Sequence, residues 1–130
     1  MTNHPMARTP DRPASPLPRL FAASGALLAA CAVALAAYAS HGATGTAQAR
    51  LGTAAAIAFG HGLALAALAP RAAGSRLAQA SLAAMLLGTL LFAGGLAWAV
   101  FAGGRAAVAP FGGMLLIGAW LAFAVAALRG

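Results

Sequence analysis

Four long apolar runs, separated by short polar or glycine-rich connections, make up most of the chain. They cover residues 20–39, 51–69, 77–101 and 110–128, and none of them contains Asp, Glu, Lys or Arg. An α-helix rises about 1.5 Å per residue, so a run of about 20 residues matches the ~30 Å hydrocarbon core of a bilayer. The pattern predicts an all-α fold, an integral membrane bundle of four antiparallel transmembrane helices.

The segments around these runs set the predicted domain boundaries. Residues 1–18 hold five prolines and three charged side chains, a composition that buries too little apolar surface to order the chain. We therefore expect a disordered, Pro- and Arg-rich tail at 1–18 and a transmembrane domain at 19–130. Residues 42–50 are expected to form a polar connection. Pro70 is expected to end the second helix, whereas Pro110 suits the first turn of the fourth.

Composition excludes a soluble fold and a nucleic-acid-binding surface. Charged residues make up 7% of the chain and hydrophobic residues 62%, whereas a soluble domain carries about 25% charged residues. The formal net charge of +7 comes from eight Arg and one acid, Asp11. Every Arg lies in a terminus or between apolar runs, and none belongs to a dense basic cluster. We expect the lipid bilayer, and no nucleic acid, as a partner.

The arginines also predict the orientation of the helices. Four spans place both termini on one side of the membrane. Six arginines fall on that side, and two, Arg50 and Arg105, fall on the other. Cytoplasmic segments carry the excess of Lys and Arg, so we expect a multi-pass protein of the cell inner (plasma) membrane with both termini in the cytoplasm.

Small residues at four-residue spacing occur in every span, and such spacing lets helix backbones approach closely in lipid. The glycines in these stripes are the predicted packing positions: Gly62, Gly88 and Gly118. The first span has only an all-alanine stripe, which is a weaker signal in an alanine-rich chain: Ala22, Ala26, Ala30 and Ala34. The stripes predict helix packing within the bundle, and they are equally compatible with homo-oligomer contacts.

His61 is the only ionisable side chain near the middle of the second run. Ten residues from Leu51 place it about 15 Å deep, near the bilayer midplane. Ionisable residues at that depth are rare and functional by default, and a neutral imidazole is a proton acceptor or a metal ligand. His41, at the end of the first span, is the candidate second member of this polar site. The helical rise separates the two rings in depth by about 15 Å unless residues 42–50 fold back into the bundle.

Three roles for His61 stay open from the sequence. In the first, the ring donates one interhelical hydrogen bond, to Thr89, Ser24 or a backbone carbonyl, and fixes the helix register. In the second it serves proton or solute passage, and in the third it ligates a metal or haem. Two histidines without Cys, Asp or Glu are a weak metal signal, because such sites gather three or four protein ligands. Trp120 is expected to pack against another helix, with a hydrogen-bond partner for its indole N–H.

The sequence contains no pattern typical of an enzyme. The only acid, Asp11, lies outside the predicted bundle, and the absence of Lys excludes a phosphate-binding loop of the Gly-rich, Lys-containing kind. The serines lack the neighbouring base and orienting acid that nucleophilic catalysis needs. Gly112 and Gly113 fit close helix approach better than a backbone oxyanion site. We therefore expect no catalytic residues and no cofactor, and a metal site stays unassigned.

Four local patterns together resemble a known family. They are Tyr38-Ala39-Ser40-His41-Gly42, Phe59-Gly60-His61, Leu91-Phe92-Ala93-Gly94-Gly95-Leu96 and Ala109-Pro110-Phe111-Gly112-Gly113. Their order resembles the small bacterial membrane proteins catalogued as domain of unknown function four hundred and twenty-three, which are related to a eukaryotic transmembrane family. The resemblance covers residues 20–128. It implies a four-helix inner-membrane protein, and it implies no particular biochemical activity.

Three classes of function are compatible with these patterns. The leading interpretation is a structural or accessory membrane protein that packs with itself as a homo-oligomer or with a larger membrane complex. The alternative is a small transporter or proton-conducting subunit in which His61 is the titrating group and His41 lines its outer mouth. A metal- or haem-binding membrane protein is the third. A structural protein predicts a dry, closed environment around His61, and a transporter predicts a hydrated path to it.

Overall fold

A computed structural model describes residues 15–130, so residues 1–14 of the predicted tail lie outside the described residues. The described chain folds into four α-helices: α1 (Leu17–His41), α2 (Gly45–Ala72), α3 (Arg76–Phe101) and α4 (Ala109–Arg129). Each helix is long and apolar enough to cross a membrane. The predicted all-helical class is therefore confirmed, and the four apolar helices indicate a multi-pass membrane protein.

The second helix differs most from its predicted span. It begins at Gly45 instead of Leu51, so the connection after α1 is only residues 42–44. Gly45 has a φ of +58°, a conformation that glycine adopts without steric cost. At its other end, α2 continues through Pro70 to Ala72. A proline in the last turn leaves only one preceding carbonyl without its donor, and the helix ends two residues later, where the N–H of the capping residue Ala73 donates to the Pro70 carbonyl over 3.4 Å.

The third and fourth helices follow their predicted spans closely. Ser75 caps α3, since its Oγ accepts a hydrogen bond from the Ala78 N–H at 3.2 Å. The helix stays α-helical through the adjacent glycines Gly94 and Gly95. Pro110 lies in the first turn of α4, as predicted. Both helices therefore begin with residues suited to a helix start.

Consecutive helices pack side by side, and the two central helices make most of the contacts. α1 packs on α2, α2 on α3 and α3 on α4, with a small additional contact between α1 and α3. No Cα atom of α4 comes within 8 Å of one in α1 or α2. The largest completely buried side chains lie on α2 and α3: Leu51, Leu65, Leu82, Met85, Thr89 and Ser81. The core is therefore formed around α2 and α3, and α4 is joined to the rest mainly through α3.

The closest approach of α1 to α2 occurs at a pair of glycines. A Cβ atom built on Gly25 would overlap the Gly62 carbonyl oxygen and lie 2.8 Å from the Ala66 nitrogen. A Cβ on Gly62 would lie 2.6 Å from the Gly25 carbonyl oxygen and 2.9 Å from the Ala29 nitrogen. Real Cβ atoms essentially never come this close to backbone atoms. Gly62 thus lies at a helix contact, and its partner is Gly25, which the sequence had not singled out.

A second glycine pair lies between α3 and α4. A Cβ on Gly112 would overlap the Phe92 nitrogen and lie 2.7 Å from the Gly88 carbonyl oxygen. A Cβ on Gly88 would meet the Leu116 Cγ at 3.0 Å and the Gly112 carbonyl oxygen at 3.1 Å. Gly88 and Gly112 therefore both lie where two helices approach closely.

One predicted packing glycine, Gly118, and most of the alanine stripe of α1 are exposed. Gly118 is exposed, and a Cβ built on it would meet nothing within 4 Å, so within the described chain it has no packing contact. In α1, three of the four predicted alanines are exposed: Ala26, Ala30 and Ala34. The buried face of α1 instead carries Phe21, Gly25, Ala32 and Ala39. The spacing of small residues identified candidate faces but not which face turns inward, because these helices are apolar all round.

Candidate functional site

The candidate polar site is a pair of side chains, His61 of α2 and Trp120 of α4. The Trp120 Nε1–H donates a hydrogen bond to the His61 Nε2 over 3.1 Å. The ring centroids are 6.1 Å apart, and the planes are tilted by 56°. The predicted hydrogen-bond partner for the Trp120 indole is therefore present. The two side chains bridge helices whose Cα atoms do not come within 8 Å of each other.

The other ring nitrogen of His61 is also engaged. Its Nδ1 lies 2.8 Å from the carbonyl oxygen of Ile57, one turn earlier in the same helix. A carbonyl oxygen only accepts and an indole N–H only donates, so Nδ1 must carry the proton and Nε2 must offer its lone pair. The two hydrogen bonds together select one neutral tautomer of the imidazole.

This arrangement differs from the interhelical bond expected from the sequence. His61 donates to a backbone carbonyl, one of the three partners expected, but this carbonyl belongs to Ile57 of its own helix and not to another helix. The Thr89 hydroxyl instead donates to the Met85 carbonyl at 2.8 Å, within α3. A hydroxyl on a helix commonly donates to the carbonyl one turn earlier in this way. The Thr89 oxygen could still accept a hydrogen bond, but both ring nitrogens of His61 have other partners. The interhelical bond of His61 is thus one that it accepts.

The second predicted member of the site, His41, lies apart from His61. It is the exposed last residue of α1. His61 lies 16 residues into α2, which corresponds to about 24 Å along the helix axis from the end where α2 follows α1. The intervening connection is only residues 42–44 and does not fold back into the bundle. The described residues therefore do not bring the two histidines together.

The pair lies at the edge of the helical assembly. His61 is half-buried, and Trp120 keeps 42% of its surface exposed. In the described part of the chain, no buried side-chain nitrogen or oxygen lacks a hydrogen-bond partner. No three His, Cys, Asp or Glu side chains among these residues are grouped closely enough to hold a metal ion. The site is a hydrogen-bonded pair in which both ring nitrogens of His61 already have a partner.

One signal in the sequence does relate these two residues. His61 lies 11 residues before Ala72, and Trp120 lies 9 residues before Arg129, the last residue of α4. At about 1.5 Å per residue, their Cα atoms are about 16 Å and about 14 Å from those helix ends. These similar distances, with an indole as donor and an imidazole as acceptor, make the two residues candidates for a pair, but they do not fix how the helices are rotated about their axes.

Comparisons with family models, with curated proteins and with solved structures find no match to this chain. The family resemblance of its four sequence patterns thus stays an expectation. The hydrogen bonds of His61, the glycine contacts and the placement of arginines are the observations from which a function is inferred.

Proposed function

We propose that this chain is a structural or accessory membrane protein that acts by packing, with further copies of itself or with a larger membrane complex. The observation that carries the proposal is the engagement of both ring nitrogens of His61 within the chain. A histidine that shuttles protons or ligates a metal needs a free nitrogen lone pair. The lone pair of His61 is directed at the Trp120 indole N–H, so the ring links α2 to α4 through an interhelical hydrogen bond.

The proposal includes an antiparallel bundle packed through small residues. Its support is the order of contacts along α1 and α2. Gly25, early in α1, meets Gly62, late in α2. Ala32, further along α1, packs with Ala54 and Ala58, which come earlier in α2. Contacts that run in opposite order along two neighbouring helices are those of an antiparallel pair, and small side chains at these positions favour association in lipid.

The proposal also includes the inner membrane and cytoplasmic termini. Four described arginines lie at helix ends that an antiparallel arrangement places on one side: Arg19, Arg71, Arg76 and Arg129. Arg50 and Arg105 belong to the opposite side. This asymmetry follows the positive-inside rule for short loops. Membership of the family that the sequence resembles is part of the same proposal, since that family implies the same four-helix topology.

Proton flux in reconstituted vesicles tests the proposal against the transporter alternative. Vesicles with an entrapped pH-sensitive dye receive an inward-directed driving force from a potassium diffusion potential, and a protonophore added last gives the full response. We expect wild-type vesicles to take up protons at the rate of protein-free vesicles, and His61→Gln vesicles to match both. Uptake above the protein-free rate that His61→Gln abolishes would establish passage through His61 and overturn the structural role.

The purified protein tests the metal- or haem-binding alternative. Because the Nε2 of His61 accepts the Trp120 hydrogen bond, a metal ion or haem iron would have to displace the indole to bind this nitrogen. We expect no metal at a stoichiometric level by elemental analysis and no haem absorbance. Stoichiometric metal or haem that His61→Gln removes would replace the structural interpretation with a ligand-binding one.

A further inference from the structure

A groove at the arginine-rich end of the molecule has the character of an amphipathic binding site. It lies between the connection that joins α2 to α3 and the last turns of α4, and its volume is about 410 Å³. Its polar part is formed by Arg71 and Ser75, and its apolar part includes Ala78, Phe123 and Ala126. The groove therefore offers a cation and a hydroxyl at one place and hydrocarbon at another.

Acidic side chains do not balance the charge of this groove. The whole sequence has eight arginines and one acidic side chain, Asp11, so most of the arginines have no side-chain carboxylate with which to pair. Between Ser15 and Gly130 there is no Asp or Glu at all. Arg71 is exposed at the end of α2, and Arg76 follows five residues later at the start of α3. A guanidinium favours phosphate as its partner, because its planar N–H groups match the phosphate oxygens.

The depth of the groove matches the boundary between lipid headgroups and acyl chains. Phe123 lies seven residues before Gly130, which corresponds to about 10 Å along α4. The polar part thus lies at the helix ends, and the apolar part reaches into the hydrocarbon region. The Ser75 Oγ accepts the Ala78 N–H, which leaves its hydroxyl proton available to donate to an anion.

From this placement we propose that the groove binds one anionic phospholipid. The phosphate contacts the Arg71 guanidinium and the Ser75 hydroxyl, and an acyl chain lies along Ala78 and Phe123. This goes beyond the packing role of the His61 pair, because it involves a different end of the molecule and none of the same side chains. The site would hold the lipid in place against exchange with the bulk bilayer.

Native mass spectrometry of the full chain tests the site. The protein is released from micelles that contain equal amounts of phosphatidylglycerol and phosphatidylcholine, and the retained lipid is counted. We expect phosphatidylglycerol to be retained about fivefold over phosphatidylcholine, the factor that one interfacial arginine contributes. Arg71→Gln should remove this preference, whereas Arg71→Lys, which keeps the charge, should retain most of it.

Arg105→Gln is the matched control, because Arg105 lines a different groove, of about 360 Å³, at the connection between α3 and α4. It should leave the preference unchanged. Equal retention of the two lipids by the wild type, or an equal loss in Arg105→Gln and Arg71→Gln, would overturn the proposal. Soluble glycerol phosphate is added as a competitor. If it displaces phosphatidylglycerol at equal concentration, the groove binds free phosphate groups and the lipid assignment is wrong; we expect no displacement.

Discussion

The contact between α1 and α2 and the contact between α3 and α4 both centre on glycine, but they differ in what faces each glycine. At the first, Gly25 and Gly62 each face the backbone of the other helix. At the second, Gly112 faces the backbone of α3, whereas the nearest atom to a Cβ on Gly88 belongs to the Leu116 side chain. A side chain can rotate and a packed helix backbone cannot, so the same residue type has unequal importance at these positions.

The spacing of small residues is therefore not enough to rank their importance for packing. A Cβ added to Gly60, two residues before Gly62 in the same helix, would meet nothing within 4 Å, and the same holds for Gly118. In an exposed helical position, alanine is favoured over glycine by up to about 1 kcal/mol. The effect of the same substitution, Gly to Ala, on the free energy of unfolding should therefore differ along the chain. It should be strongly destabilising at some positions and neutral or stabilising at others.

The largest effects are expected where an added methyl group meets the backbone of another helix, as in Gly62→Ala. The new methyl group would press on the Gly25 carbonyl and the Ala29 nitrogen, so α1 and α2 must move apart. Overpacking of this kind costs about 3 kcal/mol. The loss is measured by unfolding the protein with sodium dodecyl sulfate in mixed micelles and following its helix content by circular dichroism. Gly60→Ala is the matched control and should unfold at the wild-type fraction of detergent or slightly above it. Equal losses in the two variants would contradict the contact.

The contact between α3 and α4 should show an asymmetric effect. Gly112→Ala presses on the backbone of α3 at least as closely as Gly62→Ala presses on α1, so it should also cost about 3 kcal/mol. Gly88→Ala should cost about 1 kcal/mol, because its contacts are longer, at 3.0 Å to the Leu116 side chain, which can shift, and 3.1 Å to the Gly112 carbonyl oxygen. The same unfolding titration measures both. Gly113→Ala, which would meet only the Phe92 ring at 3.4 Å, is the control and should be nearly neutral. If Gly88→Ala were the more harmful change, the asymmetry would be disproved.

The hydrogen bond between α2 and α4 should contribute less than either glycine contact. Trp120→Phe keeps most of the ring but removes the donor to His61, and interhelical hydrogen bonds in membranes average about 0.6 kcal/mol, with a maximum near ~1.7 kcal/mol. We expect a loss in that range in the unfolding titration. Trp98→Phe is the control, since Trp98 is 69% exposed and makes no side-chain hydrogen bond among the described residues. If both variants unfold alike, the hydrogen bond between Trp120 and His61 does not stabilise the fold.

The smallest effect on folding is expected for Gly118→Ala. With open space around this position, the change should alter the free energy of unfolding by less than about 0.5 kcal/mol. The Gly118→Ala variant also tests self-association, because an exposed glycine on α4 is where another copy of the chain could approach. Light scattering of the purified protein at several concentrations would show whether the variant changes its association. A large loss of stability in dilute micelles would place an intramolecular contact at Gly118.

Hydropathy was sufficient to predict the four helices, because helix is the backbone structure that satisfies its own hydrogen bonds over an apolar run. The start of α2 was not predicted, since residues 45–50 are polar and small and match a connection as well as a helix end. The sequence also predicts that α2 ends at Pro70, whereas the helix continues to Ala72. Proline disrupts a helix most in its interior, and Pro70 lies in the final turn of α2.

The site was only half predictable for a different reason. Its two residues, His61 and Trp120, were each singled out by their depth in an apolar run. Their pairing depends on how α2 and α4 are rotated about their axes, and a helix that is apolar all round carries no pattern that fixes this rotation. Gly25 was missed for the same reason, because the alanine spacing of α1 suggested a face that the structure leaves exposed.

The sequential packing of the helices has a consequence for how the protein is made. α4 approaches only α3 at the level of the backbone, and among the helices already synthesised the main partner of every later helix is the one that directly precedes it. Each helix can therefore dock as soon as it leaves the ribosome and enters the bilayer, without waiting for a distant segment to be synthesised. Such local pairing favours rapid folding. A nascent chain that has completed α3 already contains both central helices, and the arrival of α4 adds the indole that hydrogen-bonds to His61.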